Sequence, residues 1–316
     1  MGKVAFVFPG QGSQHVGMGL AARDASPAAA EAFREADEAL GLPLSGLIFE
    51  GPEEDMKLTR NTQPAVVATS IALYRALGET PDVAAGHSLG EYAAHVAAGT
   101  LAFADAIRTV RLRGKTMQEA VPVGEGAMAA VLKADRATVE SACATAAEAT
   151  GQVCEAVNYN GPGQIVIAGS TRAVAHAAEE LKAARARVMP LPVSAPFHSS
   201  LMKPAEEKLA PVLRGLPSAA PAFPVYTNVD AAPVESAGAA IEALIRQVSR
   251  PVRWESTVRR MAEDGVSLFV EVGPGKVLTG LVGRIAKDAA RVTVNGPDQF
   301  EAAREAIAAA RRGEGS

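Results

Sequence analysis

The stretch VAAGHSLGEYAAHVAAG, Val83 to Gly99, sets a serine between two glycines where an apolar run gives way to helical spacing. Val83–Gly86 suits a short buried strand, and Leu89–Ala98 a helix closed by Gly99. Gly86-His87-Ser88-Leu89-Gly90 matches G-x-S-x-G, the nucleophile elbow. In that turn, side chains at the flanking positions would collide with neighbouring backbone. The serine Oγ then projects above the strand ends at a helix N-terminus, where the dipole and free N–H groups favour negative charge. The same five residues also suit a tight packing turn with no chemistry, so other parts of the chain must discriminate.

The bulk numbers narrow the class. At 316 residues the chain suits one large domain or a large and a small one. With 48% apolar residues it can bury a sizeable core. Aromatics at 4% and a net charge of −4 argue against a nucleic-acid surface. Cys143 and Cys154 are the only cysteines and lack CxxC spacing, so reduced thiols, no disulfide and no zinc site are expected. The first residues are too short an apolar run for a signal peptide, and no stretch reaches about 20 unbroken apolar residues. The expectation is a soluble, cytoplasmic protein with no metal.

Around the serine, short apolar strands alternate with helices, which argues for a parallel α/β sheet. Val4–Phe8 is a strand ending at Pro9-Gly10. Ser26–Leu40 is a helix with Asp24 and Ser26 as candidate caps, and Ala65–Ala76 a helix after a turn at Thr62-Gln63-Pro64. The middle third changes rhythm. Ala127–Leu132 reads as strand, Arg136–Ala149 as helix, and Val153–Tyr159 and Gln164–Ala168 as strands around the Asn160-Gly161-Pro162-Gly163 turn. Arg172–Ala186 follows as helix and Val188–Ser194 as strand. That βαββαβ order predicts a ferredoxin-like unit inserted at residues 125–193, with residues 1–124 and 194–316 forming the core. Further strands are expected at Val225–Asn228 and Ser267–Val272, and Ala302–Ser316 as a frayed surface helix.

A nucleophilic serine needs a base. Of the five histidines, His176 lies on a charged, alanine-rich helix and reads as solvated, and His95 as a packed helix residue. His15 stands where a dinucleotide fingerprint would need its third glycine. His87 adjoins the serine, but neighbours across such a turn point apart. His198, in VSAPFHSSLMKP, follows a strand and a proline-broken loop, a good place to hang a base; an ordinary loop histidine is its alternative. An oxyanion needs two donors. Leu89 can supply one backbone N–H, and Gln11 of FPGQGSQ another, since its flanking glycines allow close approach. That loop lacks the Gly-Lys-Ser/Thr ending of a Walker A motif. VGPGKVL, Val272–Leu278, has the look of an anion loop, with a plain strand-to-helix turn as the simpler reading.

In Phe103–Ala120, positions 103, 106, 107, 110, 114 and 117 fall on one arc of about 100°. Arg108 and Lys115 point away from it, whereas Arg113 projects about 20° from Ala106, at the arc's edge. Either its stem packs while its head reaches water, or its guanidinium awaits a carboxylate it can grip through two hydrogen bonds.

FPGQGSQ, TQPA at Thr62–Ala65, GHSLGEYAA, RLRGKTMQ, NYNGPGQIVIAG, PVSAPFHSSLMKPA and VGPGKVLTGL occur in that order along nearly the whole chain. The set closely resembles the malonyl-CoA:acyl carrier protein transacylases. The resemblance implies an α/β-hydrolase-like core with an inserted ferredoxin-like subdomain. It also implies transfer of malonyl from malonyl-CoA to acyl carrier protein for fatty acid synthesis, usually by a monomer with no permanently bound cofactor. Carried over by position, the nucleophile falls on Ser88, the base on His198, and the carbonyl that orients the base on Gln247. The oxyanion donors fall on Gln11 and Leu89, and the carboxylate-binding arginine on Arg113. Asn158, Asn160 and Arg187 match subdomain positions facing the carrier, and Phe197 is the residue malonyl-selective members often carry. Rival expectations are an acyltransferase loading a polyketide carrier, a serine thioesterase or esterase, and a non-catalytic carrier-binding protein.

Overall fold

A computed structural model describes residues 2–193 and 195–313. Its strands are β1 (Lys3–Phe8), β2 (Val83–Gly86), β3 (Gly126–Leu132), β4 (Cys154–Gly161), β5 (Gln164–Ser170), β6 (Arg187–Pro190), β7 (Val225–Tyr226), β8 (Pro233–Val234), β9 (Val266–Val272) and β10 (Ala290–Val294). They form a mixed α/β protein with two sheets. The first has the order β10-β9-β1-β2-β7-β8, with every pairing parallel except β7–β8.

Its central strands are apolar on both faces because both faces are covered. Val4, Phe6, Phe8 and Ala84 enter one apolar layer, which includes Val66 and Ile71; Ala5, Val7, Val83 and Ala85 enter the other, with Trp254, Val258 and Met261. Phe8 pairs with Gly86, so β1 and β2 end level. The loops that follow them, carrying Gln11 and Ser88, therefore emerge side by side from the carboxyl ends of adjacent parallel strands.

The second sheet is antiparallel, in the order β4-β5-β3-β6. Helices Arg136–Thr150 and Thr171–Ala183 supply Val139, Cys143, Val174 and Leu181 to a separate core beneath Val131, Ile165 and Ile167. Backbone hydrogen bonds from Tyr159 N–H to Val252 O (2.9 Å) and from Val252 N–H to Val157 O (2.8 Å) stitch β4 to the larger body.

Several local expectations are corrected. Helix Thr59–Leu77 begins six residues before Ala65 and contains Thr62-Gln63-Pro64 rather than following a turn there. Pro64 withholds one N–H, from the carbonyl of exposed Arg60, while the N–H groups of Asn61 and Thr62 both find Leu58 O. The cost of a proline near a helix start is small beside the burial of Thr62 through Leu73. Ser26 does precede helix Pro27–Leu40, but its side chain makes no capping bond.

The β4–β5 turn is Pro162-Gly163 alone, so Asn158 and Asn160 both sit in β4. The strand expected at Val225–Asn228 stops at Tyr226 because the backbone N–H of Asn228 turns to the Glu91 carboxylate. β6 ends at Pro190, and Ser194, its expected last residue, lies outside the described residues. The terminal helix, Phe300–Arg312, is docked rather than frayed. Phe300, Ala303 and Ile307 are buried, and Arg304 Nε donates to Leu77 O at 3.0 Å.

Candidate active site

The glycines around Ser88 are dictated by contact. A Cβ on Gly86 would lie 1.9 Å from the carbonyl carbon of Gly90, and one on Gly90 would lie 2.2 Å from Phe8 O. One on Gly10 would meet His87 O at 2.6 Å, so the β1 loop and the elbow touch through backbone. Ser88 itself is left-handed, with φ 53. Such a serine persists only where its surroundings over-determine it. Asn228 does so: its Oδ1 accepts from Ser88 N–H at 2.7 Å and its Nδ2 donates to Gly86 O at 2.6 Å.

Ser88 Oγ lies 2.7 Å from His198 Nε2. His198, also left-handed at φ 64, is buried in the loop after the second sheet, where the N–H and hydroxyl of Ser199 both reach back to Pro196 O. Its Nδ1 lies 2.9 Å from Gln247 O. A carbonyl only accepts, so Nδ1 carries the ring proton and Nε2 turns a lone pair to the serine hydroxyl. Burial, and after it the Arg113 guanidinium, push the imidazole down to about 3, which keeps it neutral near pH 7. Among the described residues no carboxylate stands behind it; a backbone carbonyl does.

Arg113 is 1% exposed, which removes the reading in which its head reaches water. Gly114 lets its helix press on Thr59–Leu77, since a Cβ there would lie 2.6 Å from Thr59 O. That contact brings Gln63 of TQPA to the guanidinium: Nη1 donates to Gln63 Oε1 at 2.8 Å. Nη2 donates to Gln247 Oε1 at 2.9 Å and to Ser88 Oγ at 3.2 Å. Its Nε meets no acceptor among the described residues, and no acid pairs with the group directly. A buried, unneutralised cation beside a hydroxyl is a receptor for an anion.

A cavity of about 330 Å3 joins these groups. Gln11, Ser88, Leu89, Arg113 and His198 line it from the larger sheet's side; Met128, Ala130, Asn158, Asn160 and Val166 line it from the smaller sheet, with Phe197 in the connecting loop. Among the described residues no protein acceptor takes the N–H of Leu89 or of Gln11, so both are free for an oxyanion. Arg187 is not brought into this cavity; it is exposed on β6, opposite Leu132.

The remaining histidines separate by environment. His87 Nε2 turns away from Ser88 to Asn160 Oδ1 at 2.8 Å. His95 is wholly buried, 3.4 Å from Thr100 Oγ1, and His176 is half-buried rather than solvated. The loop at Val272–Leu278 is a strand-to-helix turn, and the Glu271 carboxylate occupies the start of its helix, accepting from Leu278 N–H at 3.0 Å and Thr279 N–H at 2.6 Å.

Sequence reasoning missed Asn228, Glu91 and the side chains of Gln63 and Gln247. Glu91 offered one signal, as the lone acid of GEYAAHVA, a helix otherwise small or apolar apart from His95. It is buried on helix Gly90–Ala97, where desolvation raises its carboxyl to about 7 against the hydrogen bonds of Gln247 and Asn228. Among the described residues no group of three or more His, Cys, Asp or Glu could hold a metal ion, and no helix is long and apolar enough to cross a membrane.

Residues 5–309 match the acyl transferase domain family. The chain is 51% identical to the malonyl CoA-acyl carrier protein transacylase of Escherichia coli K12 over 311 residues, 96% of this chain and 100% of that protein. An acyl carrier protein S-malonyltransferase from Vibrio cholerae superposes with a TM-score of 0.93 at 47% identity, covering 95% of this chain and 99% of the other. A malonyl-transacylase solved in complex with a type II polyketide synthase acyl carrier protein gives 0.93 and 47%, covering 96% and 99%.

Proposed function

Because this chain belongs to the malonyl-CoA:acyl carrier protein transacylase family, we propose that it carries malonyl from malonyl-CoA to the phosphopantetheine thiol of acyl carrier protein, supplying fatty acid biosynthesis. Ser88 Oγ attacks the thioester carbonyl as its proton passes to His198 Nε2, and the oxyanion forms between the N–H groups of Gln11 and Leu89. Collapse expels coenzyme A, whose sulfur takes the proton from His198 and leaves a malonyl ester on Ser88. The carrier thiol then yields its proton to His198 and attacks the ester; Ser88 departs and is reprotonated. No further cofactor is required by these steps.

Arg113 selects malonyl. The carboxylate of malonyl completes the unused donors of a dry guanidinium, and acetyl leaves them unmet, which is how a polar pocket discriminates strongly. Asn158 and Asn160 face the thioester arm, Phe197 bounds the acyl end, and exposed Arg187 contributes to a local basic surface for the acidic carrier. We also read the larger sheet, residues 1–124 and 194–316, as an α/β-hydrolase-like core and residues 125–193 as a ferredoxin-like insertion. The element order of β3 to β6 with its two helices supports that division. The protein acts as a cytoplasmic monomer.

The observation that carries the proposal is the 2.7 Å approach of Ser88 Oγ to His198 Nε2 beside a buried Arg113 that has no ion pair among the described residues. Intact-mass measurement after mixing with malonyl-CoA should show one malonyl adduct that persists in water, is discharged by holo carrier protein and is absent in Ser88→Ala. Rapid hydrolysis without a thiol would instead mark a thioesterase, and no adduct a non-catalytic carrier binder. Discharge only to a polyketide carrier would move the protein to that pathway.

A further inference from the structure

Glu91 is wholly buried one turn beyond Ser88, yet it touches neither the cavity nor Arg113 directly. Its Oε2 accepts from Asn228 N–H at 2.9 Å and from Gln247 Nε2 at 2.8 Å, while its Oε1 meets no donor among the described residues. Gln247 Nε2 also donates to Ser88 O at 2.9 Å, and Gln247 Oε1 accepts from Arg113 Nη2 at 2.9 Å.

Only one orientation of the Gln247 amide satisfies this arrangement. A guanidinium only donates, so it requires the amide oxygen; a carboxylate oxygen and a backbone carbonyl accept, so they require the NH2. Turning the amide over would set N–H against N–H at Arg113 and oxygen against two oxygens at Glu91 and Ser88. Each such mismatch would leave buried polar groups unsatisfied. The amide also keeps the acid and the guanidinium apart. With glutamine between them, Arg113 is anchored by two neutral oxygens, Gln63 Oε1 and Gln247 Oε1, and its charge remains unmatched by any direct ion pair.

We propose that Glu91, acting through the side chain of Gln247, is a positioning residue for substrate selection: it locks the amide that aims Arg113 at the acyl group on Ser88 and leaves the guanidinium charge to the substrate carboxylate. The proposal rests on the malonyl-transfer reading above. It assigns Gln247 two separable parts, a backbone carbonyl that holds His198 and a side chain that holds Arg113.

The test is acylation of Ser88 by malonyl-CoA and by acetyl-CoA, with KM and kcat resolved, in Glu91→Met, Glu91→Gln and Gln247→Met. Glu91→Met removes the acceptor at similar length and should raise the malonyl KM about tenfold or more while acetyl transfer changes by less than about threefold. Glu91→Gln can keep an oxygen toward Asn228 and Gln247 and put its NH2 where Oε1 now meets nothing, so it should stay within about threefold of wild type on both substrates. Equal losses on malonyl and acetyl in Glu91→Met would reduce Glu91 to support of the elbow, and an unchanged preference would likewise overturn the proposal. Should Glu91→Met not fold by circular dichroism, Gln247→Met decides by the ratio of malonyl to acetyl acylation: that ratio must fall, and an unchanged ratio would overturn the proposal. Failure of the wild type to take a malonyl adduct at Ser88 would overturn the functional reading itself, a result distinct from either of these.

Discussion

Arg113 Nη2 lies 3.2 Å from Ser88 Oγ, closer to the nucleophile than a residue 25 positions along the chain has any local reason to be. The group that discriminates between substrates thus touches the group that reacts. Arg113→Ala should lower malonyl acylation by on the order of 10²-fold or more, as loss of a buried charge-assisted pair does. Acetyl acylation should fall far less, so that acetyl gains relative to malonyl. Competition between the two thioesters for Ser88, read by intact mass, checks this; an unchanged ratio removes Arg113 from selection.

The same guanidinium disfavours a charged His198, second only to burial. His198 works as a base only when neutral, so acylation declines as pH falls through its pKa. Removing a nearby positive charge raises that pKa. In Arg113→Leu the acid limb of acetyl-CoA acylation should therefore move to higher pH. Acetyl-CoA is the proper probe because it has no carboxylate to pair with the arginine. A limb that stays put or moves down contradicts the electrostatic contact.

Asn228 holds a strained Ser88 by two hydrogen bonds, to Ser88 N–H and Gly86 O. In Asn228→Ala both buried backbone groups lose their partner, at about 1–3 kcal/mol each. We expect a melting temperature lower by several degrees and a kcat reduced on the order of 10²-fold, with malonyl-CoA KM little changed, because Arg113 stays anchored elsewhere. A large rise in KM with kcat intact would place Asn228 in binding instead.

His95 predicts acid sensitivity of the fold. Burial pushes its imidazole down to about 4, below the unfolded value of about 6.5. Between these values the unfolded chain binds the extra proton, so this residue's stabilisation is complete above about pH 6.5 and drains away as pH falls toward 4. His198 and His87, also depressed by burial, act with the same sign. Glu91 opposes them: its carboxyl, raised to about 7, contributes stability below its unfolded value that is lost as pH climbs through 7. Melting curves from pH 4 to 6.5 should fall less steeply toward acid in His95→Leu than in wild type. Parallel slopes would exclude His95 from the linkage.

The sequence alone determined what depends on neighbours along the chain. Gly86, Gly90 and Gly10 are required wherever backbone meets backbone at a strand-to-helix turn, so the elbow was legible before any coordinates. The unbroken apolar run Val4–Phe8 and the helical arc of Phe103–Ala120 were legible for the same local reason. Local logic misled where a tertiary surface overrode it. Pro64 reads as a helix stop, but burial of the surrounding face carries the helix through it. The alanine-rich tail reads as frayed until Phe300, Ala303 and Ile307 are seen against the sheet.

Only the tertiary structure decided how the site is joined. Ser88 and His198 are 110 positions apart and Ser88 and Gln247 are 159 apart, and no periodicity carries information across such gaps. The strand order β9-β1-β2-β7 gathers the loops after β1, β2 and β7, with Gln11, Ser88 and Asn228, at one end of the sheet; His198 reaches them on the loop after β6 and Gln247 at the end of helix Ala237–Gln247. Arg113 remained ambiguous in sequence because a helical wheel cannot tell an edge that faces water from one that faces another helix. Gln63, Glu91, Asn228 and the side chain of Gln247 stayed hidden because an amide or a lone acid has no pattern of its own. What they do is set by which donors and acceptors the fold leaves unsatisfied around them.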